Sequence, residues 1–216
     1  MRHTIAIILL GFMFTQCASG QKDKSAEATA RPTKAELQNL ETAYFASGCF
    51  WCVEAIYESV TGVQEAVSGY SGGKEKNPSY RQVAGGQTGH AEAVKVYYDP
   101  EVVSFKTLVK VYYGSQNPTT VNGQAPDFGL QYRSIIFYQN EQEKMIAEGY
   151  RDSLDASGTY SDPVATEILS FEKFWEAEEY HQDYEKRNPY QPYVRSVSVP
   201  RLKRFQAKFP ELIKEE

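Results

Sequence analysis

The sequence has little cysteine: three residues in 216, at Cys17, Cys49 and Cys52. A scaffold stapled by several disulfides is therefore excluded. Histidine is as scarce, and His90 and His181 stand far apart in the chain. A structural zinc site usually takes its four ligands as two local pairs, and only the cysteines form one. Positive charge is also short, with 23 Lys and Arg against 28 Asp and Glu and a formal net charge of -5. Residues 1–40 hold five basic and three acidic side chains, so the 18 basic and 25 acidic ones that follow leave -7. A duplex-binding domain would be basic, so nucleic acid is not an expected partner. What remains, 41% hydrophobic and 24% charged residues, is the balance of a folded globular chain rather than a disordered or fibrous one.

The apolar run at residues 5–14 has ten residues, too few for the roughly 20 that span a bilayer. Preceded by Arg2 and His3 and followed by Thr15, Gln16 and Cys17, it reads as a secretory signal over residues 1–17. Cys17 stands where a bacterial lipoprotein signal carries its lipidated cysteine, although Phe14 replaces the usual Leu; ordinary cleavage near Ala18-Ser19-Gly20 is the alternative. Either way the expected location is the bacterial cell envelope or periplasm, with membrane attachment only through a lipid on Cys17. Residues 18–40 read as a flexible tether, since 18–36 contain no large apolar side chain. Residues 41–216 then form a single domain.

Within that domain, periodicity predicts strands at 43–46, 63–70, 91–99, 134–139 and 164–169, and helices at 49–59, 104–115, 141–157 and 174–187. Ser104 is the expected N-cap of the second helix. The order β-α-β-β-α-β predicts an α+β fold: a two-layer sandwich with a ferredoxin-like core, an antiparallel or mixed sheet and additional helices. The stretches 71–90 and 116–132 exceed ordinary connection lengths, which marks them as functional or disordered. The basic run Arg195, Arg201, Lys203, Arg204 and Lys208 reads as a solvated face.

Cys49 and Cys52 lie three apart in Gly48-Cys49-Phe50-Trp51-Cys52, where a strand runs into a helix. On a helix such residues share a face, and their Cα atoms can come within the roughly 4.4–6.8 Å that a disulfide tolerates. The helix start favours a thiolate, which makes Cys49 the better nucleophile and Cys52 a resolving thiol one turn inside. Half a zinc site, a static disulfide and two core thiols are the other readings of the pair. A general thiol-disulfide oxidoreductase using the same pair and a non-enzymatic metal-binding module are the alternative functions.

The same string, taken with Asn77-Pro78-Ser79-Tyr80, Gly89-His90-Ala91-Glu92-Ala93-Val94, Asp127, Gln131-Tyr132-Arg133-Ser134 and Glu178-Glu179-Tyr180-His181-Gln182, resembles peptide methionine sulfoxide reductase of the A type. The resemblance covers nearly all of residues 42–210, in order. It implies reduction of the S epimer of methionine sulfoxide, with no tightly bound cofactor and no metal, and recycling by thioredoxin or a similar dithiol. Oxidised proteins are the implied substrates and a monomer is expected. By position, Cys49 matches the nucleophile, Glu92 the proton donor, and Tyr80 and Tyr132 the hydroxyl donors to the sulfoxide oxygen. Phe50 and Trp51 match the aromatic walls around the substrate methyl group, and Asp127 an acid that helps bind substrate. Many relatives have Gly at the place of Cys52 and resolving cysteines near the C-terminus; here Tyr193-Val194-Arg195 and all that follows contain none, so resolution falls to Cys52.

The chemistry has need of such groups. Thiolate attack on sulfoxide sulfur builds charge on oxygen, and donors aimed there stabilise the transition state. A carboxylic acid donates only when protonated, so Glu92 needs a pKa above its ordinary value of about 4.3. The product is a sulfenic acid on Cys49, which a second thiol condenses to a disulfide. His90 and His181 read as structural.

Overall fold

The computed structural model describes residues 31–215. The expected signal (1–17), Cys17 and the first part of the expected tether lie outside the described residues. In chain order the elements are α1 (Lys34–Leu37), β1 (Glu41–Ala46), α2 (Phe50–Glu58), β2 (Val63–Ser71), α3 (Tyr80–Ala84), β3 (Ala91–Tyr98) and α4 (Phe105–Gly114). They continue with the two-residue strands β4 (Gly123–Gln124) and β5 (Asp127–Phe128), then β6 (Ile135–Tyr138), α5 (Glu141–Ala156), β7 (Glu167–Ser170), β8 (Phe174–Glu176), α6 (Tyr184–Arg187) and α7 (Val199–Lys208).

Strand β1 shows how the layers arise. Ala43 and Phe45 face one side of the sheet and Tyr44 and Ala46 the other, and all four are buried, as the two-residue period of a strand requires. Helices α2 and α4 cover the first side, where Phe45 meets Tyr57 and Tyr112. The second side is closed by Phe171 and Phe174, with Tyr44 stacked on Phe171 at 3.8 Å. Truncating a fully buried aromatic such as Phe45 would cost about 3–5 kcal/mol.

The six-stranded sheet has the order β7-β6-β1-β3-β2-β8, antiparallel except for the β6–β7 pair. Its central strands with α2 and α4 make the predicted ferredoxin-like core. Ser104 caps α4 as expected, accepting the Thr107 N–H at 3.1 Å. Register sets the site: Glu92 pairs with Tyr70 and shares the helix-covered face with Val94 and Val96.

Several expectations give way. The helix predicted over 174–187 is instead strand β8, a 3-10 turn at Glu179–His181 and the short α6. Strand β8 pairs with β2 at Gly69, where any Cβ would collide with the Phe174 ring and the Trp175 carbonyl; Asp183, at φ 51°, then breaks helical geometry. The stretch 71–90 carries α3, whose Ser79 N–H bonds Gln82 Oε1 at 3.0 Å. Within the expected tether, residues 34–37 make one exposed helical turn capped by Thr33. The C-terminal basic run is no uniform solvated face: Arg201 is buried beside Phe205 on the inner side of α7, because its guanidinium bonds the Ser47 and Ser115 carbonyls at 3.0 and 2.9 Å.

Candidate active site

Gly48 has φ +72°, which turns the chain from β1 into α2 and leaves Cys49 as the N-cap of that helix. A Cβ at Gly48 would stand 2.8 Å from Gln124 Cβ, so the turn is also tight against β4. The Gly48 N–H donates to the Tyr132 carbonyl at 3.2 Å, which brings the 3-10 turn Leu130–Tyr132 against the helix start. Both Cys49 and Cys52 are reduced and buried.

Cys49 supplies no side-chain cap, and a carboxyl from the sheet takes that part. The Phe50 N–H donates to Glu92 Oε2 at 3.1 Å. Glu92 is 2% exposed, and burial pushes its carboxyl up to about 8, with Asp127 and Cys52 adding to the rise and the Phe50 N–H opposing it. It is therefore an acid with a proton to give at neutral pH. Tyr80, at the start of α3, is held up to about 12 by burial and then by Glu92 and Cys49; Tyr132 is raised by burial, Glu92 and Tyr80. Both phenols keep their protons, and the mutual influence of Glu92, Tyr80, Tyr132 and Cys49 marks them as one cluster.

The aromatic residues of the cysteine motif face a ring of others. Phe50 stacks with Tyr80 at 6.2 Å between centroids and meets His181 at 5.0 Å. Trp51 lies flat on Tyr184 at 3.7 Å, edge-on to Tyr193, and donates its indole N–H to His181 Nδ1 at 3.1 Å. The acceptor role leaves the proton on His181 Nε2, and burial holds the ring neutral by lowering its pKa to about 4. Glu178 anchors this wall, accepting the Tyr70 hydroxyl at 2.8 Å and the Tyr80 N–H at 3.0 Å. His181 thus belongs to the site, whereas His90 is structural, bonding the Gly73 N–H at 3.1 Å and the Glu75 carbonyl at 2.8 Å.

The thiols depart from expectation in one respect. Sequence placed the easier ionisation on Cys49 at the helix start. Burial pushes the Cys49 thiol well up, with the Cys52 thiol and Glu92 charge adding to it. Cys52 is instead drawn down to about 6 by the hydrogen bond from Cys49, against its own burial, with help from Arg201, Ser198 and Tyr193. Of the two thiols, Cys52 is therefore the more readily ionised. Tyr193 places its hydroxyl 3.9 Å from Cys52 Sγ and donates it to Asp127 Oδ2.

All seven residues matched by position in the domain, Cys49, Phe50, Trp51, Tyr80, Glu92, Asp127 and Tyr132, thus fall around the start of α2, and Cys52 lies with them. Sequence reasoning missed Glu178, Tyr184, Tyr193 and Arg201. Glu178 lay within a quoted motif without a role, and no local pattern marks the rest. Neither histidine joins the thiols in a metal-like cluster: among the described residues that spacing occurs at Glu54, Glu58 and Asp183, where Lys186 already pairs with two of the carboxylates.

Comparison with known proteins adds the chemistry's name. The profile of the peptide methionine sulfoxide reductase family matches residues 41–213. The peptide methionine sulfoxide reductase MsrA of Polynucleobacter asymbioticus is 45% identical over 181 residues, 84% of this chain and 95% of that one. MsrA 1 of Rhodopirellula baltica is 48% identical over 174 residues, 81% and 90% of the two chains. Among solved structures, methionine sulfoxide reductase A of Corynebacterium diphtheriae superposes with a TM-score of 0.65 at 34% identity, covering 76% of this chain and 82% of that one. With the match running from β1 to the C-terminal turn, this chain belongs to the peptide methionine sulfoxide reductase family.

Proposed function

We propose that Cys49 is the nucleophile and Cys52 the resolving thiol of a reductase acting on the S epimer of methionine sulfoxide. The observation that carries this reading is Glu92: a buried, protonated carboxyl bonded to the Phe50 N–H, one residue from Cys49. Cys49 attacks the sulfoxide sulfur while Glu92 delivers a proton to the oxygen, with Tyr80 and Tyr132 as hydroxyl donors to the charge that develops there. Phe50 and Trp51 receive the methyl group, and Asp127 holds the substrate from the rim. Methionine leaves, the oxygen remains on Cys49 as a sulfenic acid, and Cys52 displaces it to close a disulfide.

Thioredoxin or a similar dithiol reopens that disulfide. The protein repairs oxidised proteins of the bacterial envelope as a monomer, exported by residues 1–17 and tethered through lipidated Cys17. The basic start, the ten-residue apolar run and Cys17 support that address.

The test is turnover of the full chain, fully reduced, on separate S and R epimers of a methionine sulfoxide peptide without added reductant. Methionine from the S epimer alone, with two thiols lost per turnover, is expected. Turnover of the R epimer, or loss of a single thiol with no disulfide, would overturn the stereochemistry or the role of Cys52.

A further inference from the structure

Cys52 has surroundings that its own helix does not supply. After Tyr193 the chain makes a π-helical turn, Val194–Ser198, in which the Val199 N–H bonds the Val194 carbonyl five residues back. Such a turn is wider than an α-helical one, and it brings residues five apart, here Tyr193 and Ser198, onto one side. Arg201 follows one turn later on the inner side of α7. All three act on Cys52: Tyr193 through its hydroxyl at 3.9 Å, Ser198 through its hydroxyl, and Arg201 through its charge. The Ser198 hydroxyl also bonds Glu185, and the Arg201 guanidinium is fixed by Ser47 Oγ at 2.9 Å as well as by the Ser47 and Ser115 carbonyls. The remaining groups facing Cys52 are Cys49 on the same helix and Glu92 on β3.

Tyr193 has one hydroxyl proton, and it is spent on Asp127. Its oxygen is then free to accept from the Cys52 thiol, which makes a continuous path from Cys52 through Tyr193 to a carboxylate. Asp127 in turn feels Arg201, and its charge acts on Glu92.

We propose that Tyr193 and Asp127 form the proton outlet of Cys52, while the buried Arg201 guanidinium holds the charge left behind, so that the resolving thiol is primed by the C-terminal turn. The inference rests on the reading of Cys52 as the resolving thiol. In the first step the Cys52 thiolate takes the proton of Cys49 as that sulfur attacks, and Glu92 gives its own proton to the sulfoxide oxygen. The state reached is a Cys49 sulfenic acid, a Cys52 thiol and a Glu92 carboxylate. In the second step the Cys52 proton passes to Tyr193 as Tyr193 releases its own to Asp127. The Cys52 thiolate attacks Cys49, the S–S bond forms and the S–O bond breaks. The departing hydroxide takes up the proton handed on by Asp127 and leaves as water. Cys52 is oxidised and the Cys49 sulfur reduced by one electron equivalent each, with no further reactant. Tyr193 and Asp127 act in this second step as positioning residues, through Cys52.

The experiment compares two rates in single turnover of the full chain on an S-sulfoxide peptide: methionine formation, and disulfide closure, with the sulfenic acid trapped by dimedone. In Tyr193→Phe, closure is expected to slow at least ~10-fold more than methionine formation, with sulfenic acid accumulating. Closure in Tyr193→Phe should also become steeper with rising pH, as bulk solvent takes over removal of the Cys52 proton, while methionine formation keeps its wild-type pH profile. Asp127→Asn keeps the shape of the outlet and an oxygen for the Tyr193 hydroxyl but removes the base that takes its proton, so it should slow closure more than methionine formation, and it serves if Tyr193→Phe fails to fold. Equal slowing of both steps, with the pH profile of closure unchanged, would overturn the outlet. Cys52→Ser separates this from the underlying reading: if that variant still loses two thiols per turnover, Cys52 is not the resolver; if it stops at the sulfenic acid while Tyr193→Phe closes at the wild-type rate, only the outlet fails.

Discussion

The Phe50 N–H and the Glu92 carboxyl are bonded at 3.1 Å across the layer between helix α2 and strand β3, so the acid of the site also caps its helix. Ionisation of this carboxyl therefore lowers stability and activity together. An unfolded glutamate loses its proton near pH 4.3, whereas burial keeps Glu92 protonated up to about 8. Between those values the folded state holds the extra proton, so its stability falls as pH rises, and the loss is complete above the folded pKa. Glu92→Gln keeps an acceptor for Phe50 and cannot ionise. In denaturant titrations at pH 5 and pH 8, wild type should lose on the order of 3 kcal/mol more than the variant. The variant's methionine formation should fall by about 100-fold or more, and the alkaline limb of its pH profile near 8 should vanish.

Gly48→Ala tests the turn that delivers Cys49. At φ +72° an alanine meets the left-handed penalty of about 1–2 kcal/mol, and its Cβ would press on Gln124 at 2.8 Å. We expect a stability loss of about 2–3 kcal/mol by denaturant titration, with kcat/KM down at least ~10-fold because Cys49 moves relative to Glu92. Unchanged stability would mean that Gln124 yields and the turn is looser than its geometry indicates.

Glu178 joins Tyr70 and the start of α3 through two oxygens. Glu178→Ala strands the Tyr70 hydroxyl, at a cost of about 1–3 kcal/mol, and releases the backbone that carries Tyr80. If Tyr80 acts as proposed, on charge that exists only in the transition state, the expected signature is a fall in kcat larger than any rise in KM. Glu178→Gln, which keeps one oxygen acceptor, should recover part of the loss.

What could be read in the sequence divides along physical lines. Alternation in β1 and β3 and the Ser104 cap are local, and each element appeared within a few residues of its expected bounds. The predicted helix at 174–187 failed because its fate is settled by a distant residue: Gly69 in β2 admits the backbone of β8, and nothing near Phe174 signals that. The matched residues Cys49, Glu92, Tyr80 and Tyr132 do converge. Their electrostatics were half legible: Ala91, Ala93 and Val94 foretold a buried, protonated Glu92, but the lowering of Cys52, led by the hydrogen bond from Cys49, is aided by Arg201, some 150 residues downstream on a helix with no signature of that contact.

Trp51 separates the surface of the proposed methyl-binding wall from its rigidity. Its ring is fixed twice, by stacking on Tyr184 at 3.7 Å and by the indole N–H bonded to His181 Nδ1 at 3.1 Å. Trp51→Phe keeps an apolar face that can stack but removes the donor, so the loss is one hydrogen bond to a neutral ring, about 1 kcal/mol in stability. Trp51→Ala removes the face itself. If apolar contact with the substrate methyl and the packing of Tyr184 carry binding, kcat/KM on the S-sulfoxide peptide should fall by less than about 10-fold in Trp51→Phe and by about 100-fold or more in Trp51→Ala. The alternative, that the indole N–H orients His181 for the reaction, requires both variants to lose activity alike. His181→Phe then decides: the ring survives without a nitrogen, and near-wild-type turnover would leave the aromatic surface as what the site uses.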